Sequence, residues 1–349
     1  MQCKLRFLIS GPGLIGKQHA RLIEQRDDCE LVAIVAPDDA GNREFAAAHS
    51  ARFYTSLTDA LSAETIDACI ISSPNAFHYE QAATCLDCGI PCLVEKPVTD
   101  SLETAEALVT LVEQSGVPLL VGHHRRYSFL LGKALGFLHS ERFGRLVALQ
   151  GSALFYKPAS YFVDGPWRAV PGGGPILINL IHEVDLMRQF GGEIATVQAL
   201  AGHDIRNFEV EDTVSIAIKF RNGALGSFLL SDIAASSKSW EMTSGENPAY
   251  PHFPDETCYH FAGTNGSLDF PSMQAKTYGA EAQRSWWKPF EQFSLTFERR
   301  DPLTEQLDHF VNVIRHAEKP RVTAEDGYRN MLVIEAIRRS IEKRVAVDL

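Results

Sequence analysis

The sequence predicts an α/β protein of two domains, and three observations support this. The first ~120 residues alternate short apolar runs with helical patterns, which is typical of a parallel sheet covered by helices on both faces. A glycine-rich turn at 11–16 joins the first apolar run to the first helical pattern. Beyond residue 122 the predicted strands follow one another with few helices between them. We therefore expect a doubly wound domain over 1–121 and an α+β domain with a large, mostly antiparallel sheet over 122–349.

The strands of the first domain are short and apolar throughout, as expected where both faces are covered. They are predicted over Leu5–Ser10, Leu31–Ala36, Ala68–Ser72, Cys92–Glu95 and Pro118–Val121. The intervening helices are predicted over Leu14–Gln25, Asn42–His49, Ala76–Cys88 and Leu102–Gln114. Right-handed crossovers between parallel strands then give the doubly wound arrangement.

The second domain is predicted from helical patterns and hairpins. Helices are expected over Phe129–His139, Ile176–Phe190, Thr304–His316 and Glu325–Glu342. Asn222-Gly223 and Asn265-Gly266 each stand between two strand-like runs. Asn-Gly at such a place predicts a hairpin closed by a type I′ turn, which requires positive φ at both residues.

Composition and charge exclude several classes of protein. The chain has 349 residues, of which 45% are hydrophobic, and its 33 basic and 44 acidic residues give a net charge of −11. An acidic chain is a poor nucleic-acid binder, and no apolar run reaches the ~18–20 residues that cross a bilayer. The N-terminus lacks a signal-peptide pattern, and seven scattered cysteines suit a reducing compartment. We therefore expect a soluble, cytoplasmic enzyme with neither nucleic acid nor membrane as partner.

The turn Gly11-Pro12-Gly13-Leu14-Ile15-Gly16 has the G-x-G-x-x-G pattern between the first strand and the first helix. Gly11 allows the tight turn, Gly13 lets a pyrophosphate approach the backbone, and Gly16 lets the helix pack on the sheet. The helix N-terminus offers free N–H groups to the phosphates. This context predicts a dinucleotide site.

The ribose is expected to meet an acidic residue about 20 residues further on. Asp38 or Asp39 could reach it and would repel a 2′-phosphate, whereas Arg43 could pair with one. The balance favours NAD over NADP. The other candidate cofactor contacts are Leu14, Ile15, Ser73, Pro74, Asn75, His78, Glu95 and Lys96.

Two further motifs carry a family resemblance. Glu95-Lys96-Pro97 stands at the end of the predicted strand Cys92–Glu95, and Gly172-Gly173-Gly174 precedes His182-Glu183-Val184-Asp185. With the glycine turn, these motifs make the whole chain resemble the Gfo/Idh/MocA oxidoreductases, which include glucose–fructose oxidoreductase and inositol dehydrogenase. The resemblance implies an N-terminal Rossmann domain that binds NAD(P). It also implies a C-terminal sheet domain that completes the active site and forms a homodimer or homotetramer.

The resemblance assigns catalysis to Lys96 and His182. We expect hydride to pass between a substrate carbon and the nicotinamide, while His182 exchanges the hydroxyl proton and Lys96 stabilises charge on the oxygen. Many relatives carry Asp or Asn four residues before the histidine, where this chain has Ile178. Asn179 can still face the site, but an amide cannot serve as a general base. The identity of the substrate therefore does not transfer from the family.

Candidate substrate contacts are arginines and aromatic residues near these motifs, together with two polar residues close to His182. They are Arg125, Tyr156, Trp167, Arg168, Asn179 and Asp185. Arginine suits a carboxylate or phosphate, so a sugar acid is one candidate ligand. Cys85, Cys88 and Cys92 could suggest zinc, but buried packing is the more ordinary role of such cysteines, and no metal is expected.

The predicted function is an NAD(P)-dependent dehydrogenase or reductase. Its small-molecule substrate would be a secondary alcohol or ketone of a sugar, cyclitol, sugar acid or related hydroxylated ring. Two alternatives stay open. One is reduction of another carbonyl or an imine, and the other is a non-catalytic dinucleotide sensor or regulator on the same fold.

Overall fold

The computed structural model describes residues 3–279 and 284–349. In it the chain forms two compact units. The first unit contains the residues up to Arg126 together with Leu303–Met331, and the second contains Tyr127–Pro302 together with Leu332–Leu349. The predicted α/β class is confirmed, with a parallel sheet in the first unit and a mostly antiparallel sheet in the second.

The first unit is built on six parallel strands in the order β3-β2-β1-β4-β5-β6. The strands are β1 Leu5–Ser10, β2 Cys29–Val35, β3 Arg52–Tyr54, β4 Ala68–Ile71, β5 Cys92–Val94 and β6 Leu119–Val121. The first five helices are α1 Leu14–Glu24, α2 Ala40–Ala48, α3 Leu57–Ala63, α4 His78–Asp87 and α5 Leu102–Ser115. The strand order reverses between β1 and β4, which is where doubly wound sheets bind their ligands. Sequence patterns missed β3 and α3 because both are short and mixed in polarity.

The second unit is built on nine strands in the order β14-β13-β12-β11-β7-β10-β9-β8-β15. They are β7 Leu146–Leu154, β8 Ile194–Gly202, β9 Thr213–Phe220, β10 Leu225–Ser231, β11 Tyr259–Gly263, β12 Gly266–Phe270, β13 Gln274–Thr277, β14 Glu291–Ser294 and β15 Val347–Asp348. Its helices begin with α6 Phe129–Leu138, α7 Ala159–Val163, α8 Ile181–Gly191 and α9 Trp240–Ser244. Only β7 and β10 pair in parallel; the other neighbours in this list are antiparallel. The helix predicted over 176–190 begins with a π-helical segment, Ile176–Leu180.

Both predicted hairpins form, but the predicted type I′ turn is wrong. Between β9 and β10, Gly223 has φ +91°, whereas Asn222 is not among the residues with positive φ. The Gly223 N–H donates to Phe220 O at 3.0 Å, and the Phe220 N–H donates to Ala224 O at 2.9 Å. This is a three-residue loop that ends in a left-handed glycine, the next most common way to close a hairpin.

The last two helices are α10 Pro302–His316 and α11 Ala324–Lys343. On α10, Leu307 and Phe310 belong to the core of the first unit, and the Phe310 ring meets the Phe7 ring edge-on with centroids 6.0 Å apart. Between α10 and α11, Val322 O accepts a hydrogen bond of 3.0 Å from the Val121 N–H. The segment Leu303–Met331 therefore covers both a face and an edge of the parallel sheet. The linear division at residue 121 does not include this return of the chain.

None of the helices formed by residues 3–279 and 284–349 combines the length and the apolar character needed to cross a membrane.

Candidate functional site

The glycine turn packs backbone against backbone at the point where the strand order reverses. Gly11 has φ +87°, and a Cβ at this residue would overlap the Ser73 backbone in the loop after β4. A Cβ on Gly16 would lie 2.7 Å from Ser72 Oγ and would also overlap Gly11 O. Ser72 Oγ donates to Gly11 O at 2.7 Å, which ties the two loops together. Gly11 and Gly16 are thus required by the protein's own packing.

Gly13 faces open space instead. A Cβ built on Gly13 meets no atom within 4 Å. Gly13 is also the N-cap of α1 and provides no side-chain cap, so the first-turn N–H groups have no acceptor within the helix. Next to it, Leu14 leaves 78% of its surface exposed. An open backbone beside an uncapped helix N-terminus is the geometry that binds a pyrophosphate, so these residues fit NAD(P).

The two predicted carboxylates after β2, Asp38 and Asp39, have different partners. Asp39 caps α2 by accepting the Asn42 N–H at 2.8 Å. Asp38 is exposed and binds Arg43 through two hydrogen bonds of 2.6 and 2.8 Å. These bonds from Arg43 lower the pKa of Asp38. Of the two, Asp38 is thus the carboxylate that is exposed and caps no helix.

A buried histidine, His78, connects the loop after β4 to the loop after β5. His78 Nδ1 lies 2.9 Å from Pro97 O, and His78 Nε2 lies 2.8 Å from Ser73 O. Burial lowers the pKa of His78. The predicted cofactor contacts Ser73 and His78 therefore differ in placement. The Ser73 backbone contacts the glycine turn, whereas His78 is a buried bridge between the loops after β4 and β5.

Glu95 anchors the backbone of Lys96. Its carboxylate is buried and accepts from His19 Nε2 at 3.0 Å and from the Lys96 N–H at 3.2 Å. Burial alone would raise the pKa of Glu95, but the hydrogen bond and charge of His19, with the charge of Lys96, hold it below its usual value. Gly122 packs against the same carboxylate, where a Cβ would lie 2.8 Å from it. Sequence reasoning missed His19, since nothing in the pattern of α1 indicates a partner directly after β5. The Lys96 side chain itself is half-buried.

After β6, His123 and Arg125 are buried and His124 is half-buried. His123 Nε2 lies 3.1 Å from Asn330 Nδ2 of α11. Burial and the charge of Arg125 lower the pKa of His124 to about 3, so His124 is neutral near pH 7. Arg125, a predicted substrate contact, is itself only 3% exposed.

In the second unit, His182 lies in the first turn of α8, directly after the π-helical segment. It is buried, with 8% of its surface exposed. The next residue, Glu183, points to the sheet and accepts a hydrogen bond from the Tyr259 hydroxyl. Asp185 is also buried. The start of α8 is thus packed on the sheet, and a π-helical irregularity at such a place is frequent at functional sites.

A buried polar cluster lies beside Asn179. Lys157 Nζ donates to Asn179 Oδ1 at 2.7 Å and lies 3.6 Å from Asp232 Oδ2. Arg206 Nε donates to the other oxygen of Asp232 at 2.9 Å. Arg206 also donates to Lys157 O at 2.8 Å. Sequence reasoning missed Asp232 and Arg206, which are far apart in the chain and match no motif.

The remaining predicted substrate contacts lie on the loop before α8 or near it. Trp167 and Tyr156 are 55% and 58% exposed. Arg168 is half-buried and donates to Tyr161 O, and its guanidinium lies 3.9 Å from the centre of the Tyr161 ring. Both aromatic side chains are therefore exposed, although the guanidinium of Arg168 lies 5.5 Å from the centre of the Trp167 ring and that of Arg206 lies 5.6 Å from the centre of the Tyr156 ring.

The cysteines considered for zinc do not converge on a metal geometry. Cys85 and Cys92 are fully buried, whereas Cys88 is exposed. Burial raises the pKa of the Cys92 thiol, which keeps it protonated. In the part of the chain that the structure describes, no group of three His, Cys, Asp or Glu side chains is placed to hold a metal ion.

Two family models match the chain. Residues 5–123 match the model for the oxidoreductase family with an NAD-binding Rossmann fold, named Gfo/Idh/MocA. Residues 137–349 match the C-terminal α/β domain of the same family.

Individual relatives agree with these matches. A UDP-N-acetylglucosamine 3-dehydrogenase of Acidithiobacillus ferrooxidans is 29% identical over 99% of this chain and 97% of its own. A 4-carboxy-2-hydroxymuconate-6-semialdehyde dehydrogenase of Sphingobium sp. is 27% identical over 65% of this chain and 72% of its own. The crystal structure of the WlbA dehydrogenase from Bordetella pertussis, in complex with NADH and UDP-GlcNAcA, has a TM-score of 0.79 and 25% identity over 99% of both chains.

The predictions of family, enzyme class and cofactor type, NAD or NADP, are thereby confirmed. The chain belongs to the Gfo/Idh/MocA family and is an NAD(P)-dependent oxidoreductase.

Proposed function

We propose that this enzyme oxidises a secondary alcohol on a hydroxylated ring, of the sugar, cyclitol or sugar-acid class, or reduces the matching ketone. The observation that carries the cofactor half of this proposal is the open backbone at Gly13 beside an uncapped helix. The exposed rings of Tyr156 and Trp167 support a ring-shaped substrate, because sugar rings stack on aromatic faces. Relatives named for UDP-N-acetylglucosamine and D-xylose support the same class.

Lys96 and His182 are the residues we propose for the chemistry. When bound, NAD(P)⁺ supplies the hydride acceptor. The Lys96 ammonium lowers the energy of negative charge on the alcohol oxygen, and the His182 imidazole takes the hydroxyl proton. Imidazole suits this task because it titrates near neutrality. The anchoring of Lys96 by Glu95 and the packing of α8 around His182 support these roles, since each holds its residue in place.

A screen of oxidation over sugars, polyols and sugar acids, followed at the absorbance of NADH, tests the proposal. Lys96→Ala and His182→Ala are each expected to lower kcat about 10²–10⁴-fold on the best substrate. The Kd of His182→Ala for NADH should stay within about threefold of wild type, because the histidine is proposed to handle a proton and not to bind the cofactor. Tight NADH binding without turnover across the panel would contradict the proposed activity.

We further propose that NAD is preferred over NADP. The exposed Asp38 carboxylate would repel a 2′-phosphate. Arg43, which could pair with such a phosphate, already donates two hydrogen bonds to Asp38. Fluorescence titrations should give a lower Kd for NADH than for NADPH, and Asp38→Ala should narrow the difference. A tighter Kd for NADPH in the wild-type enzyme would overturn this preference.

We also propose a homodimer or homotetramer that forms through the large sheet and works in the cytoplasm. The strand register places Leu200, Leu225 and Leu229 on one face of the sheet, and these side chains are 68%, 59% and 41% exposed. Apolar patches of this kind are typical of interfaces. The free thiols of all seven cysteines support a reducing location. Light scattering on Leu225→Glu/Leu229→Glu should report a smaller species than wild type, and a monomeric wild type would refute the assembly.

A further inference from the structure

The hydrogen bond between Lys157 and Asn179 decides which way the Asn179 amide points. An amide carries an accepting oxygen at one end and a donating NH₂ at the other, and the two ends look alike in shape. A lysine ammonium can only donate. Because Lys157 Nζ lies 2.7 Å from this side chain, the end that faces it must be Oδ1. The NH₂ end therefore points away from Lys157.

The cluster around Lys157 holds the ammonium in place. Lys157 is 9% exposed, and its Nζ lies 3.6 Å from Asp232 Oδ2 and 4.9 Å from the centre of the Tyr161 ring. Asp232 is in turn bound by Arg206, which also donates to Lys157 O. A buried ammonium that is tied at both ends of its residue has little freedom to turn. Its direction towards Asn179 is therefore fixed by the fold.

Asn179 lies three residues before His182, in the π-helical segment that precedes α8. It is half-buried, and the bond through Oδ1 is the one hydrogen bond of its side chain among the residues that the structure describes. Its two N–H donors thus remain available. Four residues before His182, where an acid or amide would offer a hydrogen-bond acceptor, this chain has the apolar Ile178.

We propose that Asn179 is a specificity-determining hydrogen-bond donor to a substrate oxygen, and that Lys157 is the positioning residue that fixes it as a donor. The substrate would carry an accepting oxygen, a ring carboxylate or a hydroxyl, beside the carbon that is oxidised. This inference rests on the proposed function, because it places the substrate at His182. It adds which hydrogen-bond partner the enzyme selects on that substrate.

Asn179→Asp tests the donor role. Aspartate keeps the size of the side chain and can still accept from Lys157, but it has no N–H to donate. We expect kcat/KM to fall about 10- to 150-fold, the range for losing a hydrogen bond to a charged or strongly accepting group. Most of the change should appear in KM, and the Kd for NADH should not change. An Asn179→Asp enzyme with kcat/KM within threefold of wild type would overturn the proposal.

Lys157→Met, Lys157→Arg and Lys238→Met test the positioning role. Methionine fills the space without a donor, so we expect kcat/KM to fall about tenfold, whereas arginine should keep most of it because it still donates. Lys238, which is exposed and 4.0 Å from Glu256, provides the control and should show no change. If Lys157→Met and Lys238→Met have equal kcat/KM, Lys157 does not position Asn179.

A measurement without substrate separates this inference from the proposed function. Thermal unfolding is followed for Lys157→Met, Asn179→Leu and the double variant. If the two residues share one interaction, the loss of Tm in the double variant is smaller than the sum of the single losses. Fully additive losses would overturn the link between Lys157 and Asn179. If wild type oxidises nothing in the panel, the proposed activity fails, and the Tm comparison still decides the link.

Discussion

The two units differ in whether backbone groups or side chains form their proposed binding sites. In the first unit the proposed phosphate site is made of backbone: Gly11, Gly13 and Gly16 matter because they lack side chains, and the groups proposed to bind are N–H groups of a helix end. In the second unit the proposed site depends on side chains, with Lys157, Asn179, Asp232 and Arg206 joined in a polar cluster. A backbone site tolerates changes that leave its path intact, whereas a polar cluster depends on every member being paired.

The largest effect is expected from Asp232→Asn, which removes the charge from the centre of the cluster. Lys157 and Arg206 would then lose the buried carboxylate that both of them approach. Leaving buried charges uncompensated costs about 3–5 kcal/mol, so we expect Tm to fall by roughly 10 °C. Asp38→Asn in the exposed pair with Arg43 is the matched control and should leave Tm unchanged. Equal Tm losses in the two variants would show that the buried pairs of Asp232 contribute no more to stability than the exposed pair of Asp38 and Arg43.

Gly11→Ala is expected to have the next largest effect. A residue with a Cβ is strained at φ +87°, and the new atom would overlap the Ser73 backbone. We expect a loss of about 2–4 kcal/mol, seen as a lower Tm, together with an NADH affinity at least about tenfold weaker. Unchanged Tm and unchanged affinity would mean that the loops after β1 and β4 can separate freely. The close backbone contact between Gly11 and Ser73 would then not be needed for stability or for binding.

Gly13→Ala should weaken NADH binding while leaving stability alone. The added Cβ meets no protein atom within 4 Å, so Tm should stay within about 1 °C of wild type. The methyl group would occupy space close to the pyrophosphate, and we expect the Kd for NADH to rise about tenfold or more. The pair of glycine variants thus separates packing from binding. If Gly13→Ala binds NADH as wild type does, the cofactor does not approach the backbone there.

The smallest effect near neutral pH is expected from His124. Its pKa is about 3 in the folded protein, against ~6.5 in an unfolded chain. The unfolded state therefore binds a proton first, and stability falls as the pH drops below ~6.5. The lowered pKa of Glu95 acts in the same direction, since its contribution is lost as the pH falls through its folded value.

Thermal unfolding between pH 8 and pH 4.5 measures this. At pH 4.5 the neutral His124 imidazole lowers the free energy of unfolding by about 2–3 kcal/mol, and His124→Asn should remove this loss. The Tm of the variant should therefore decline less as the pH falls. The decline should be steeper in wild type, with little difference between the two proteins at pH 8. Parallel Tm curves would show that the folded protein does not keep His124 as a neutral imidazole.

The contrast between the units also explains what the sequence could predict. The parallel sheet and the glycine turn are local: each strand is a short apolar run, and Gly11–Gly16 is contiguous in the chain. Lys96 and His182 could be predicted as catalytic candidates because each stands in a short motif. The pairing of Lys157 with Asp232 and the buried bond from His19 to Glu95 were not found, because their partners come from distant elements. Which face of α10 meets Phe7 is equally invisible to periodicity, since an amphipathic stripe does not name its partner.

The return of Leu303–Met331 to the first unit has a consequence for synthesis on the ribosome. The strand sequence of the first unit emerges early, but Phe310 and Val322, which cover its face and its edge, emerge only after the residues from Tyr127 to Pro302. At roughly 5–20 residues per second this delay is about 9–35 s. For that time the nascent chain holds an incomplete nucleotide-binding core. The part of the protein that is made first is therefore among the last to finish folding.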